Sequence, residues 1–347
     1  MTVLVTGGTG YIGSHTVVEL LNANYDVIIV DNLSNSKKSV LKRIQKITGK
    51  KPKFYQIDVC DGRALDQVFY DNPSIEAVIH FAGWKAVGES VQRPLYYYQN
   101  NIQSTLELCQ TMEYYKVNRL VFSSSATVYG DPHALPITED FPLSATNPYG
   151  QTKLMIEQML KDWCKANGNI SVSILRYFNP IGAHESGLIG EDPCGIPNNL
   201  LPYVARVAAG KMAFVNVYGN DYPTRDGTGV RDYIHVVDLA KAHIAALERT
   251  KMVSGTECYN IGTGQGYSVL EVIQTFEKAW GEKIYYCYAP RRSGDIAECY
   301  ADASKAAEFL GWKAEHNLEK MCEDIARWQK KNPSGYPEDE TNDWHKV

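Results

Sequence analysis

The first thirteen residues constrain the fold most, because they place three glycines at regular spacing between a strand pattern and a helix pattern. The apolar residues 3–5 run into Gly7, Gly10 and Gly13, and a helical pattern begins at Ile12. Glycine permits the tight turn, the close approach of the backbone to a pyrophosphate, and the close packing of helix against strand. The N–H groups and positive dipole end at the start of the helix favour an anion. The pattern predicts a βαβ unit that binds a dinucleotide, with an ordinary glycine turn as the alternative.

An acidic residue follows the second apolar run of the chain, at residues 27–30. A carboxylate at this position, Asp31, can accept hydrogen bonds from the hydroxyls of an adenosine ribose. It favours NAD, because a carboxylate repels the 2′-phosphate of NADP. Lys37 and Lys38 follow closely and leave some tolerance of NADP open.

Strand and helix patterns alternate over the first half of the chain. Apolar runs lie at residues 3–5, 27–30, 54–57, 77–81, 120–122 and 172–175, and helical patterns lie at 12–22, 63–70, 94–115 and 148–166. The alternation predicts an α/β fold with right-handed βαβ units, a Rossmann-type doubly wound parallel sheet.

The pattern changes after residue 178, where loops rich in glycine, proline and asparagine separate shorter elements. We predict a NAD-binding Rossmann domain over residues 1–178 and a smaller, mixed α/β, mainly substrate-binding lobe over 179–338. A tail is predicted over 339–347, and residues beyond Pro333 are expected to be loosely held, because they are polar and contain proline.

Composition excludes several classes of protein. The 347 residues carry 35 Lys and Arg against 40 Asp and Glu, a net charge of −5, which disfavours nucleic acid or an anionic membrane as a partner. Eight cysteines without a C-x-x-C pair argue against a disulfide framework or a zinc site and suit a reducing compartment. No apolar run approaches the roughly 18 residues of a membrane helix. We therefore expect a cytoplasmic protein without a metal site.

A tyrosine and a lysine lie one helical turn apart in the segment that follows Pro148. An ammonium at Lys153, together with a positive nicotinamide, would lower the pKa of the Tyr149 phenol from its usual value near 10 and make it a usable base. Residues 123–125 are three serines at the end of an apolar run, and Ser125 could bond a substrate hydroxyl or keto oxygen. In a chain with 23 tyrosines such a pair also arises by chance. Its weight comes from the glycine loop and the serines.

Together, residues 6–13, 80–83 and 123–125 and the Tyr149-x-x-x-Lys153 pair resemble the extended short-chain dehydrogenase/reductase family. The narrower resemblance is to UDP-galactose 4-epimerases, over residues 81–90, 123–130, 176–180, 190–193, 195–200, 219–222 and 226–235. It implies tightly bound NAD and reversible inversion at C4 of a UDP-hexose through a 4-keto intermediate. It also implies that Tyr149 takes the proton of the C4 hydroxyl, Ser125 bonds the C4 oxygen, and Lys153 holds the nicotinamide ribose.

The residues and the resemblance together predict a set of contacts to the cofactor. Its members are Gly7, Gly10, Tyr11, Ile12, Gly13, Asp31, Asn32, Leu33, Ser34, Asn35, Ser36, Asp58, Val59, Phe81, Ala82, Gly83, Lys85, Asn100, Tyr149, Lys153, Tyr177 and Phe178. For Asp58 and Asn100 simpler readings stay open, as a strand-end aspartate and a helix-surface amide.

The resemblance also implies a set of contacts to the UDP-sugar. Its members are Lys85, Ser125, Asn179, Asn198, Asn199, Leu200, Asn216, Val217, Tyr218, Arg231, Tyr233, Arg292, Asp295 and Cys299. Arg231 and Arg292 would clamp the diphosphate, since arginine suits bidentate phosphate contacts. Asp295 would accept a hydrogen bond from the uridine ribose.

Cys299 bears on substrate range. In the family, a tyrosine at the matching position crowds an N-acetyl group at C2 of the sugar, and a cysteine leaves space. The resemblance thus implies that UDP-GalNAc and UDP-GlcNAc also interconvert, unless loop movement decides acceptance and Cys299 is incidental.

Two other functions are alternatives to a 4-epimerase on the same fold. A 4,6-dehydratase or related decarboxylase starts with the same C4 oxidation, but dehydratases carry Asp-Glu where this chain has Ala126-Thr127. An inactive NAD-binding scaffold would not need an intact serine, tyrosine and lysine.

The resemblance further implies a homodimer through a four-helix contact, to which Tyr96, Tyr97, Leu106 and Met155 could contribute if they do not pack inward.

Overall fold

The structure is a computed structural model that describes residues 1–193, 195, 197, 199–292 and 294–337. Its strands are β1 (Thr2–Thr6), β2 (Asp26–Val30), β3 (Lys53–Tyr55), β4 (Ile75–His80), β5 (Arg119–Ser125), β6 (Ser171–Tyr177), β7 (Asn179–Ile181), β8 (Val215–Tyr218), β9 (Val230–His235), β10 (Gly255–Ile261), β11 (Gly266–Ser268), β12 (Tyr286–Ala289) and β13 (Glu298–Cys299). Its α-helices are α1 (Tyr11–Asn22), α2 (Ser39–Thr48), α3 (Gly62–Asp71), α4 (Val87–Gln92), α5 (Pro94–Tyr114), α6 (Pro148–Ala166), α7 (Leu200–Ala208), α8 (Val236–Arg249), α9 (Val269–Trp280), α10 (Ser304–Leu310) and α11 (Leu318–Lys331).

Seven strands form one parallel sheet in the order β10-β6-β5-β4-β1-β2-β3. The order runs outward in both directions from β1 and β4, so the chain crosses to opposite faces on the two sides of this pair. In such sheets a crevice opens where the order reverses, at the carboxyl ends of the strands. The expected doubly wound α/β fold is therefore confirmed.

Helices cover both faces of this sheet. On one face, Val17 of α1, Leu41 of α2 and Leu239 of α8 belong to one buried cluster with β1 and β2. On the other face, helices α3, α5 and α6 pack with β4 and β5 in a second buried cluster. Burial on both faces explains why the strands are short all-apolar runs.

A smaller lobe stands beside the carboxyl ends of these strands. Strands β7, β11 and β13 all pair with β9, which gives a mixed sheet, and β8 pairs with β12. Helices α7, α9 and α11 cover them and share a third buried cluster that includes Val204, Phe276 and Met321. This is the mixed α/β lobe that the sequence predicts.

Strand β10 and helix α8 pack with the larger sheet, although both follow residue 178. The domain boundaries stay a prediction, and residues 338–347, with the predicted tail, lie outside the described residues. The expectation of a loosely held segment beyond Pro333 is wrong for Tyr336, which is 7% exposed in the first buried cluster. No helix within the described ranges is long and apolar enough to cross a membrane.

Candidate functional site

The glycine loop lies at the point where the strand order reverses. Gly7 has a φ of +68°, and a Cβ on it would lie 2.9 Å from the backbone nitrogen of Ala82, just beyond β4. A Cβ on Gly13 would collide with the carbonyl oxygen of Gly7. The loop is therefore a glycine-only cradle at the start of α1, where free N–H groups favour a pyrophosphate.

The Asp31 carboxylate organises the loop after β2. It accepts hydrogen bonds from the backbone nitrogens of Thr9 (3.1 Å) and Leu33 (2.9 Å) and from the Ser36 hydroxyl (3.1 Å). A carboxylate offers about four acceptor positions, so one remains for a ligand hydroxyl. Together with the cradle, this carboxylate makes the residues fit a dinucleotide.

One cleft brings together most of the residues predicted for the cofactor. The members that line it are Gly7, Gly10, Tyr11, Ile12, Gly13, Asp31, Asn32, Ser34, Asn35, Ser36, Asp58, Val59, Phe81, Ala82, Gly83, Lys85, Asn100, Tyr149, Lys153 and Tyr177. Leu33 and Phe178 are not among the lining residues. Phe178 packs instead in a small apolar cluster with Val128.

The predicted catalytic side chains meet at the inner end of this cleft. The Asn147 side chain caps α6 by accepting a hydrogen bond from the Gly150 nitrogen at 2.9 Å, so Tyr149 lies in the first turn and Lys153 one turn later. The Lys153 ammonium donates to the Ser123 carbonyl at 2.7 Å and lies 5.9 Å from the centre of the Tyr149 ring. Ser125, at the end of β5, is buried with them.

The chain's own groups shift the pKa values of this pair in opposite directions. Burial raises the pKa of the Tyr149 phenol well above its usual value, Tyr177 adds to the rise, and the Ser125 hydroxyl offsets part of it. Burial lowers the pKa of Lys153 to about 8, against a smaller opposing effect of Glu157. The chain's own groups disfavour the phenolate, so Tyr149 needs a further positive charge beside it to act as a base.

A buried ion pair supports these residues from below. The Arg176 guanidinium donates from Nη2 to the Glu157 carboxylate at 2.6 Å, and both side chains are almost wholly buried. Glu157 also accepts from the Ser124 hydroxyl at 2.6 Å, and Arg176 donates to the Tyr129 hydroxyl at 3.0 Å. The network joins α6 to β5 and β6, next to Lys153 and Ser125.

The smaller lobe brings part of the predicted UDP-sugar set together by strand pairing. Asn179 of β7 lies opposite Tyr233 of β9, and Cys299 of β13 lies opposite Arg231 of β9. Cys299 packs against the apolar cluster that contains Val128, three residues beyond Ser125. These contacts bring β13 close to the inner end of the cleft.

A second part of the set gathers at β8, whose residues Asn216, Val217 and Tyr218 pair with β12. The Arg292 guanidinium lies 4.9 Å from the Tyr218 ring centre and donates to Asp295 at 2.8 Å. Burial raises the pKa of Tyr233 to about 12, and the positive charges of Arg231 and Arg292 oppose the rise. Both arginines are therefore near enough to the Tyr233 phenol for their charges to lower its pKa.

The start of α7 links the two sets. Asn199 precedes Leu200 there and donates to Glu191 at 3.4 Å, and Glu191 pairs with Lys85 at 3.0 Å. Asn198, the remaining predicted contact, lies outside the described residues.

Comparisons with known proteins agree with this geometry. The family model described as GDP-mannose 4,6 dehydratase matches residues 4–325. A UDP-glucose 4-epimerase of Bacillus subtilis is 61% identical over 97% of this chain and 99% of that relative, and one of Mus musculus is 56% identical over 96% and 98%. The chain belongs to the UDP-glucose 4-epimerase family. A crystal structure of the Bifidobacterium longum member, in complex with NAD+ and UDP, is 57% identical and superposes with a TM-score of 0.93, covering 97% of this chain and 100% of that one.

The same cleft contains residues that the sequence did not predict for this epimerase-family member. They are Thr9, Lys37, Val40, Ile57, Trp84, Ser104, Gly190, Glu191, Asp192, Pro193 and Tyr336. Residues 190–193 contributed only to the resemblance, and Lys37 entered only through NADP tolerance. Tyr336 is a large aromatic residue in a segment otherwise made of small, polar and proline residues. That contrast is the sequence signal that could have singled it out.

Proposed function

We propose that this chain catalyses the reversible C4 epimerisation of UDP-galactose and UDP-glucose, with NAD as a resident cofactor. The observation that carries the proposal is the joint burial of Ser125, Tyr149 and Lys153 beside a dinucleotide cradle in a chain 61% identical to a UDP-glucose 4-epimerase. NAD would supply the hydride acceptor at C4 and return the hydride to the opposite face, so the net redox change is zero.

The chain's own residues would handle the proton and the geometry. Tyr149 would take the proton of the C4 hydroxyl, with the Ser125 hydroxyl bonded to the same oxygen. Lys153 would hold the nicotinamide ribose, and its position on the Ser123 carbonyl keeps the ammonium at the inner end of the cleft. The further positive charge that Tyr149 requires would come from the nicotinamide ring, in addition to the Lys153 ammonium.

Inversion also needs a firm hold on UDP and a loose hold on the sugar, which must turn between the two hydride transfers. Arg231 and Arg292 would hold the diphosphate, β8 would flank the uracil, and Asp295 would accept from the uridine ribose. Asn179 and the start of α7 would border the sugar.

The direct test uses purified protein without added NAD. UDP-galactose should yield UDP-glucose at unchanged mass, as resolved by chromatography with mass detection. Absence of product even after NAD is supplied would contradict the proposal.

The same assay separates the alternatives. A 4,6-dehydratase would release a product lighter by one water, and an inactive scaffold would release none. The absence of a carboxylate at Ala126 and Thr127 disfavours the dehydratase, since elimination needs an acid/base pair beside C5 and C6. The Thr127 hydroxyl is instead bonded to Ser125 at 3.0 Å.

We further propose that the chain accepts N-acetylated UDP-hexoses, because Cys299 leaves room at C2 of the sugar. In Cys299→Tyr the larger side chain should overlap the N-acetyl group, and crowding of this kind costs about 1–3 kcal/mol. We expect kcat/KM for UDP-GalNAc to fall roughly 5- to 150-fold, with the value for UDP-galactose within about twofold of the parent.

The matched control is Cys299→Ser, which keeps the size of the side chain and should keep activity on both sugars. Unchanged turnover of UDP-GalNAc in the tyrosine variant would show that Cys299 does not control acceptance.

We propose a homodimer formed through α5 and α6, which pack against each other. Tyr96, Leu106 and Met155 are substantially exposed on these helices and would supply apolar surface. Tyr97 does not contribute, because it is fully buried and its hydroxyl donates to Glu89 at 2.8 Å. Light scattering at micromolar concentration should give twice the chain mass, and Leu106→Arg should lower it; a monomeric parent would contradict the dimer.

We also propose a cytoplasmic location and a role in galactose metabolism. The seven cysteines among the described residues are all free, which suits a reducing compartment. The metabolic role follows from the proposed substrates.

A further inference from the structure

The last described segment of the chain, residues 332–337, closes over one end of the cleft. It follows α11 and lies against the loop of residues 188–193. The Tyr336 hydroxyl donates to the Gly190 carbonyl at 3.0 Å and accepts from the Gly190 nitrogen at 3.0 Å. The Tyr336 nitrogen donates to Asp192 at 2.8 Å. The segment, called here the C-terminal clasp, is therefore hydrogen-bonded to the 188–193 loop through Tyr336.

The C-terminal clasp is also tied to the beginning of α2. The Lys37 ammonium donates to the Tyr336 carbonyl at 2.8 Å and lies 3.4 Å from the Asp192 carboxylate. The Ser39 hydroxyl donates to the Pro337 carbonyl at 3.1 Å. The Arg43 guanidinium lies 4.9 Å from the Tyr336 ring centre, a cation–π contact.

Close packing holds the loop and the clasp together. A Cβ on Gly190 would lie 2.6 Å from ring atoms of Trp328, and a Cβ on Gly335 would collide with the Asp192 carboxylate. Arg43 donates to the Leu188 carbonyl at 2.7 Å and so binds the loop to α2 directly.

These contacts face the proposed adenosine end of the cofactor cleft. Lys37, Asp192 and Tyr336 line the cleft together with Asp31 and Ser36. Within the same loop, Glu191 pairs with Lys85, nearer the inner end of the cleft. A dinucleotide lying between Asp31 and Lys153 would thus lie against residues 190–193 of this loop, which line the same cleft.

We propose that the C-terminal clasp retains NAD by holding the 188–193 loop closed over the adenosine half of the cofactor, with Tyr336 as the positioning residue. This rests on the proposed function, which identifies the ligand as NAD. A ligand beneath a closed segment is released only through the open state, so each contact that favours closure slows release by the same factor.

The test measures retention and not turnover. Tyr336→Phe keeps the ring and removes the two hydrogen bonds to Gly190. Because one net hydrogen bond changes an equilibrium by a factor of roughly 2 to 12, release should accelerate on the order of tenfold or more. The measurement is the exchange of bound NAD for isotopically labelled NAD, followed by mass spectrometry after denaturation, together with the NAD content of the purified protein.

Two controls isolate the clasp. Tyr259→Phe removes the hydroxyl of another buried tyrosine, which donates to Glu257 at 2.7 Å and has Lys305 5.5 Å from its ring centre, away from the cleft. Removal of residues 338–347 leaves every contact given above in the chain, whereas removal of 333–347 deletes most of the clasp. We expect NAD exchange at the parental rate in the two controls, Tyr259→Phe and the removal of residues 338–347. The removal of residues 333–347 should accelerate exchange the most.

The outcomes separate this proposal from the proposed function. Fast exchange in Tyr336→Phe, with turnover restored by saturating NAD, supports the clasp. Exchange at the parental rate in Tyr336→Phe, or equal acceleration in Tyr259→Phe, overturns it, and these point variants suffice if the longer truncation does not fold. A parent protein that neither contains nor binds NAD would overturn the proposed function, and the clasp with it.

Discussion

Replacing Tyr149 with phenylalanine should lower epimerase turnover by roughly 10²- to 10⁴-fold, the usual contribution of a general acid–base group. The variant keeps the ring in the first turn of α6 and removes the oxygen that would accept the C4 proton. Because the Lys153 contact to the Ser123 carbonyl does not involve this oxygen, NAD should stay bound.

The measurement is kcat with UDP-galactose, reported with the NAD content of the same sample. The matched control is Tyr177→Phe, which removes another phenol of the cleft. The Tyr177 hydroxyl is hydrogen-bonded to the Ser123 hydroxyl at 2.8 Å and is not assigned a role in proton transfer. Its loss should therefore lower turnover by about tenfold at most. Turnover of the Tyr149 variant within tenfold of the parent would refute the role of Tyr149 as base.

Replacing Arg176 with leucine should lower the free energy of unfolding by more than any of the other single substitutions proposed, because it breaks a buried ion pair. Arg176 is 2% exposed and leaves the wholly buried Glu157 carboxylate unpaired when removed. Breaking one side of a buried ion pair costs about 3–5 kcal/mol, because the remaining charge has neither solvent nor an ion-pair partner. Glu157 would keep the hydrogen bond from the Ser124 hydroxyl, which does not neutralise its charge. For a chain of this length the midpoint of thermal unfolding should fall by about 4–7 °C.

The matched control is Arg249→Leu. Arg249 also donates to a carboxylate through two nitrogens, to Glu257 at 2.9 and 3.0 Å, but this pair is partly exposed to solvent. Its loss should cost about 0–1 kcal/mol. Replacing both Arg176 and Glu157 with apolar residues should recover much of the lost stability. The stability of each variant is measured by calorimetry. Equal losses of stability in Arg176→Leu and Arg249→Leu would rule out burial as the cause.

The sequence alone determined the fold class and the centre of the candidate site, because these depend on contacts that are short along the chain. The glycine spacing after residues 3–5 specifies a strand–turn–helix. The spacing of Tyr149 and Lys153 puts both on one helix face whatever the rest of the chain does. The parallel sheet follows from apolar runs that alternate with helical patterns, and each run by itself indicates a strand buried on both faces.

The tertiary structure decided everything that depends on distant segments. The burial that raises the pKa of Tyr149 comes from several elements of the fold, so the sequence around Tyr149 does not show it. Neighbours such as Tyr96 and Tyr97 have the same composition around them, and only packing turns one outward and the other inward.

The last case is the end of the chain. A polar, proline-containing segment indicates weak local structure, yet Tyr336 is buried against residues nearly 150 and 300 positions away. The free energy that orders it comes from those partners and not from its own sequence, and only the folded chain brings them together.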